Sequence, residues 1–201
     1  MKKLSLVACF LLAVPLSAEE ADHEIHQELR GILTTVVNAI NSGNYDAMLP
    51  VISENIRATT ITQEVISSRQ NASEYFKKWF GPGAFLKKLE MSLNADALTE
   101  LSADKTWGVV RGSGMERYTL ADGRHYDMPT RWTATVAKES DGRWRLRAIH
   151  FGTNFLDNPI LDEAKRKAKQ YTIAGVVGGL VVGAFLGFLL SGRIRRAAVR
   201  A

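Results

Sequence analysis

Apolar residues fall along this chain in three rhythms, and each rhythm predicts a different kind of element. From Asp22 onward, Ile25, Leu29, Ile32, Leu33, Val36, Val37 and Ile40 recur at three- and four-residue spacings. That spacing predicts one long amphipathic helix with Asp22 at its N-cap. Asn41-Ser42-Gly43 ends it, and a short second helix is expected over Tyr45 to Leu49. Asn55 to Ile61, rich in isoleucine and threonine, predicts a first strand with a short partner at Glu64 to Ser67. Asn71 and Glu74 have the spacing of a capping box for a third helix, which should stop at Trp79 and Phe80 before Gly81-Pro82-Gly83. Asn71-Ala72-Ser73 is also a glycosylation sequon, although the cap suits its position better.

The second rhythm is the run of β-formers that follows. Strands are expected over Leu89 to Leu98, Trp107 to Leu120, Tyr126 to Lys138 and Arg143 to Phe155. Ser102-Ala103-Asp104, Ala121-Asp122-Gly123 and Ser140-Asp141-Gly142 separate them, which predicts an antiparallel meander. Gly108, Gly112 and Gly114 inside the second long strand are expected to provide bends or bulges. Three helices on one face of a curved antiparallel sheet make an α+β fold class.

The third rhythm has no polar phase at all. Tyr171 to Leu190 carries no charged residue over twenty positions, enough helix for the roughly 30 Å core of a bilayer. Lys165, Arg166, Lys167 and Lys169 precede it, and Arg193, Arg195, Arg196 and Arg200 follow, as headgroup-facing ends should. Gly175, Gly179, Gly183 and Gly187 recur every fourth residue, with Gly178 beside them. A helix face without side chains lets a second helix approach closely in lipid, so homo-oligomerisation through this stripe is expected.

Met1 to Ala18 has the parts of a secretory signal peptide: Lys2 and Lys3, the apolar Leu4 to Leu16, and a small-residue site ending at Ala18. Leu6-Val7-Ala8-Cys9 resembles a lipoprotein box but would strand Phe10 to Val14 on the wrong side of the cut, and an uncleaved anchor is the other alternative. The expected organisation is therefore a signal peptide over 1–18, a domain over 19–158, a basic juxtamembrane segment over 159–170, a transmembrane helix over 171–190 and a basic cytoplasmic tail over 191–201. The domain would be exported, with the lipid bilayer as a partner and the C-terminus cytoplasmic. Protein and membrane then explain the net charge of +5: between Asp22 and Asn158 there are 16 Lys and Arg against 17 Asp and Glu, so the excess flanks the membrane. A basic composition located there predicts no nucleic-acid partner.

Cys9 is the only cysteine and would leave with the signal peptide, which sets aside disulfides and thiol chemistry. His23, His26, His125 and His150 are too scattered for a metal motif, so no metal and no cofactor are expected.

Ala39 to Asp46, joining two helices, and Arg131-Trp132-Thr133 leading through Asp141-Gly142-Arg143-Trp144 to His150-Phe151-Gly152, resemble the nuclear transport factor 2-like superfamily, in particular its SnoaL-like and ketosteroid isomerase-like branch. The resemblance covers roughly Asp22 to Asn158. It implies a cone-shaped fold, a pocket between the first helix and the concave sheet, and commonly a dimer. Isomerase chemistry in that family needs a carboxylate base, a tyrosine and a protonated carboxylic acid. Those positions fall here on Thr60, Val36 and Arg131, none of which can do the same work, so the steroid isomerase mechanism is not expected.

Alternation in the last strand puts Trp144, Leu146, Ala148 and His150 on one face and Arg145, Arg147, Ile149 and Phe151 on the other, an assignment that a single bulge would reverse. On that reading Arg131, His150, Thr60 and Trp144 are candidate ligand-binding residues, although a half-buried structural histidine is the favoured reading of His150 and a cross-strand ion pair with Glu116 or another acid that of Arg131. The expected function is a membrane-anchored binding or assembly module taking a small apolar or anionic ligand. An anchored isomerase- or hydrolase-type enzyme using the same pocket is the alternative, and attachment to a larger envelope complex is compatible with the first.

Overall fold

The computed structural model describes residues 22–198, with side chains through Phe188, so the expected signal peptide lies outside the described residues. Helix α1 (His23–Asn41) forms where the helical spacing is, and buries Leu29, Ile32, Val36, Ala39 and Ile40. Asp22 stands at its N-cap but makes no side-chain cap bond. Its carboxylate pairs instead with Lys105, from the turn at the far end of the sheet. At the other end Gly43 takes a φ of +71°, the left-handed conformation that a helix stop commonly requires. Asn41 then ties this end to the sheet, its Nδ2 donating to Met91 O (2.9 Å) while Met91 N–H donates to Asn41 Oδ1 (2.7 Å).

A 3-10 helix (Tyr45–Val51) and helix α2 (Arg69–Phe80) complete the helical layer. Tyr45 stacks on Phe76 with ring centroids 4.2 Å apart, locking the two together. The α2 cap lies three residues earlier than the sequence spacing predicted: Ser68 Oγ accepts from Asn71 N–H at 3.1 Å, and Asn71 donates to Glu74 from within the first turn. Ser68 satisfies a helix N–H that the later cap would have left inside the chain, and so the earlier start prevails.

Seven strands form one sheet: β1 (Ile52–Thr59), β2 (Val65–Ile66), β3 (Leu86–Ala95), β4 (Glu100–Leu101), β5 (Trp107–Leu120), β6 (His125–Lys138) and β7 (Trp144–Thr153). Their order is β2-β1-β7-β6-β5-β3, with β4 on β5. The meander β5–β6–β7 is antiparallel as expected, but β1 joins β7 in parallel, so the sheet is mixed rather than wholly antiparallel. β1 is separated from β7 by the whole meander, and such a long connection can return the chain in either direction. The fold class is α+β, with helices on one face of a curved sheet.

The three β5 glycines do not make bulges. β5 pairs with β6 in unbroken register from Trp107 to Thr119. They make room instead: a Cβ on Gly112 would come within 2.1 Å of Asn94 O and 2.3 Å of the Trp132 ring, and one on Gly114 within 2.7 Å of the Leu93 side chain. Trp132 thus lies flat against a stretch of β5 without side chains, its Nε1 donating to Ser113 O at 3.0 Å. The breaks in register fall at other places, between Ile52 and Arg57, Leu86 and Lys88, and Thr135 and Val136.

At the β6–β7 turn, Arg145 is a buried clamp. It donates to Asp141 (2.6 Å), Glu139 (3.0 Å) and Pro50 O (3.2 Å), joining the turn to the 3-10 helix.

Helix α3 (Pro159–Ala198) runs without interruption through the expected juxtamembrane segment, span and most of the tail. Among the described residues it is the one helix long and apolar enough to cross a membrane, with a mean hydropathy of 1.9 and none of that stretch buried. Among the described residues, its contacts with the domain are at its start. Glu163 accepts from the Tyr126 hydroxyl, from Arg124 (3.3 Å) and from Lys167 (2.6 Å). These donors hold the Glu163 carboxyl down to about 2.

Two expectations follow. Gly112→Ala should destabilise the domain by about 1–3 kcal/mol, the cost of overpacking against backbone, read as a lower urea midpoint. A Gly123→Ala change in the β5–β6 turn meets no neighbouring atom but requires a φ of +85°, and should cost about 1 kcal/mol.

Candidate ligand-binding site

Helix α1 does not seal against the sheet along its whole length. Between its first three turns and the inner faces of β3, β5, β6 and β7 lies a cavity of about 110 Å³. Leu29, Leu33, Val36, Leu93, Val110 and Trp132 are among the side chains that wall it. The polar groups sit at its rim. His26 and Arg30 come from α1, where residues three and four apart share a face with Leu29 and Leu33, and Thr99 comes from the β3–β4 connection. Arg30 is exposed and makes no ion pair or side-chain hydrogen bond among the described residues. An apolar chamber with a free guanidinium at its mouth can hold an apolar group by burial and orient an anion by charge.

Beyond the inner wall of that cavity, along the same face of β5, lies a polar cluster. Gly112, Gly114, Glu116 and Tyr118 alternate inward, and Thr130 of β6 stands opposite Gly114. The Tyr118 hydroxyl donates to Glu116 Oε2. Glu116 is only 2% exposed, and among the described residues its Oε1 and Thr130 Oγ1 are buried with no hydrogen bond of good geometry. Burial pushes the Glu116 carboxyl up, since no cation compensates its charge, and burial together with the neighbouring carboxylate pushes the Tyr118 hydroxyl up. Burial raises the Tyr75 hydroxyl from the α2 side as well. Burial thus favours the protonated form of Glu116 more than water would, and a carboxyl in that form can donate as well as accept.

None of Thr60, Arg131, Trp144 and His150 lines the cavity. β7 carries one extra residue where its pairing jumps from Thr135–Ala148 to Val136–Leu146, so the inward set changes parity. Trp144 and Leu146 point to the core before the jump, and Ile149 and Phe151 after it. His150 is thereby turned to the exposed outer face. Arg131 is on the outer face of β6, where it pairs with Asp96, so the acid it finds is not Glu116. Trp144 is a core residue, 3% exposed, whose backbone N–H donates to Glu28 Oε1 at 3.1 Å. Thr60 follows the end of β1 and bonds Thr62 Oγ1 at 2.8 Å. Val36 does line the cavity. Arg30 and His26 could have been found from the helical face they share with Leu29 and Leu33. Glu116 could have been found from its period-two spacing to Gly112 and Gly114.

Among the described residues no group of three or more His, Cys, Asp or Glu side chains could hold a metal ion. No protein-family description matches the sequence, and no curated protein matches it. Solved structures do match. An NTF2-like superfamily protein from Salmonella enterica aligns at a TM-score of 0.55 and 14% identity, over 65% of this chain and 92% of its own. A ketosteroid isomerase-like protein from Erwinia carotovora aligns at 0.54 and 12%, over 65% and 96%. The domain has the nuclear transport factor 2-like fold. A protein from Novosphingobium aromaticivorans named as an aromatic ring hydroxylase shares that fold, with a TM-score of 0.56 and 17% identity over 65% of this chain and 90% of its own. At these identities the nuclear transport factor 2-like likeness concerns the architecture and carries no activity with it.

The raised Glu116 carboxyl has a consequence for stability. The folded state keeps this proton above the ordinary glutamate range of about 4.3, so it binds more protons than the unfolded chain there. Stability should therefore fall as pH rises from about 4.3 through the folded-state value. Glu116→Gln keeps the shape without the charge and should flatten that slope, measured as urea midpoints at about pH 5 and about pH 8. Equal slopes in variant and wild type would show that Glu116 ionises as in water.

Proposed function

We propose that this chain is a membrane-anchored, exported binding module that holds a small apolar molecule with an anionic head. The apolar cavity with an unpaired Arg30 at its rim carries this reading. Its walls exclude water from the ligand's apolar body, and Arg30 and His26 attract the head group, which stays partly in solvent. On the scale of an engineered cavity of about 150 Å³ that takes benzene, this one suits a group of roughly four or five carbons. The bilayer holds the module through the span within α3, with the domain outside the cytoplasm and the C-terminus inside, the orientation that a cleaved signal peptide would impose.

Hexanoate titrated calorimetrically into the full chain in lipid nanodiscs tests the reading. Binding should weaken about fivefold to tenfold in Arg30→Ala, the scale of one partly exposed charge-assisted hydrogen bond. Hexanol, with no charge, should bind wild type and variant alike. Equal loss of both probes would assign Arg30 a structural role, and no hexanoate binding by wild type would end the proposal.

The buried Glu116 favours a second reading, an anchored enzyme of isomerase or hydrolase type. A carboxyl whose pKa burial raises, beside a tyrosine hydroxyl, suits general acid chemistry on a substrate that reaches past the Leu93–Trp132 wall. Turnover abolished by Glu116→Gln, with ligand binding kept, would select it.

Self-association of the anchor through Gly175, Gly179, Gly183 and Gly187 belongs to the same proposal. Among the described residues a Cβ at those positions would meet no neighbouring atom, which leaves the stripe open to another helix. In a transmembrane association reporter, Gly183→Leu should weaken the signal while Val182→Leu leaves it unchanged. Identical behaviour of the two variants would make the stripe merely compositional.

A further inference from the structure

The cavity under α1 and the polar cluster around Glu116 lie on the same concave face, one pair of residues apart. What separates them is a thin wall. Leu93 and Trp132 line the cavity, whereas Gly114, Glu116 and Thr130, which come next along the same strands, do not. The Leu93 side chain fills the space over Gly114, and the Trp132 ring fills the space over Gly112. Neither side chain can swing aside freely, since Trp132 is 4% exposed and held by its bond to Ser113 O, while Leu93 is 9% exposed. The rim groups Arg30 and His26 are on the N-terminal half of α1, the end that Lys105 pins, whereas the C-terminal Asn41 bonds Met91, two residues from Leu93.

We propose that Leu93 and Trp132 are specificity-determining residues that set the length of ligand this cavity accepts. The proposal rests on the ligand-binding reading above. With its head group held at the Arg30 rim, an unbranched carboxylate extends inward until its terminal methyl group meets the Leu93–Trp132 wall. Longer chains must leave methylenes in water or push into a close-packed side chain. Each methylene buried strengthens binding about fourfold, whereas each one beyond the wall must fold back or press on a close-packed side chain, so affinity rises with chain length, passes an optimum and falls. Beyond the wall the environment is polar, so a chain that passed it would meet Glu116 Oε1 and Thr130 Oγ1.

The test is a homologous series of straight-chain carboxylates from butanoate to decanoate, titrated into the full chain in nanodiscs. Wild type should gain affinity up to the length that fills the cavity and lose it beyond. Leu93→Ala removes three carbons from the wall and should move the optimum outward by about two carbons, strengthening the longer probes roughly fifteenfold. Leu93→Val, a smaller change that puts a β-branched strand former at this position, should move the optimum in the same direction by about one carbon, and it carries the measurement if the alanine variant does not fold by circular dichroism. Trp132→Phe should also favour longer probes. An optimum that stays put in every folded variant, while wild type binds the series, overturns the assignment of the wall but leaves the binding reading intact. Absence of binding by wild type at any length overturns both.

Discussion

The close approach of Trp132 to a stretch of β5 with no side chains is the contact on which the rest of the domain depends. Gly112 and Gly114 remove the Cβ atoms that would strike Asn94 O, Trp132 and Leu93. The indole can then lie low on the sheet, which leaves space above it for α1 on one side and a chamber on the other. The buried Nε1 is satisfied by Ser113 O, so the ring needs no polar partner in the chamber and its face stays apolar. A side chain at Gly112 would strike the indole and Asn94 O, and one at Gly114 would strike the Leu93 side chain, so either would push the cavity wall out of place. The cavity is thus a consequence of sheet packing and not a gap left by poor packing.

The C-terminal helix and the cavity occupy opposite ends of the same strands. Helix α3 meets the domain at Tyr126, close to the start of β6, while the cavity is walled by Trp132, Ala134 and Val136 toward the end of that strand. From Tyr126 to Val136 is ten residues, or about 33 Å of strand. Lys105, which pins the start of α1, lies at this distal end as well. The mouth therefore faces away from the stalk, and in the proposed orientation it opens to the aqueous compartment and not to the lipid. A ligand with a charged head and a short apolar body is suited to travel there.

Much of this was legible in the sequence because it depends on local pattern. The helical spacing of Leu29 to Ile40 and the turn residues between Trp107 and Phe155 gave the helix and the three meander strands nearly to the residue, because burial of a stripe or a face is their cause. What was not legible depends on contacts between distant segments. The parallel pairing of β1 with β7 has no local signal. The parity of β7 depends on one extra residue near Arg147, and that residue moved His150 from the inner face to the outer one. The start of α2 was set by which side-chain oxygen reached the free N–H groups, that of Ser68 and not that of Asn71. Glycines in a strand were read as bends, whereas their function here is to admit Trp132 and Leu93 from neighbouring strands. The polar site was sought among surface-type residues, yet the informative groups were a charge without a partner at the rim, Arg30, and an acid without a cation inside, Glu116.

The central claim is that the space between α1 and the sheet is a real, apolar, accessible chamber walled by Trp132 and Leu93. Xenon is a direct probe of such a space, because it enters dry apolar cavities and makes no hydrogen bonds. Methyl spectra of the full chain under xenon should show shifts confined to Leu29, Leu33, Val36, Val110, Leu146 and Ile149, with none at Ile66 or Met48 on the other side of the core. No shifts at the first set, or shifts spread evenly over both, would mean that the chamber is closed or absent, and the account built on it would fall.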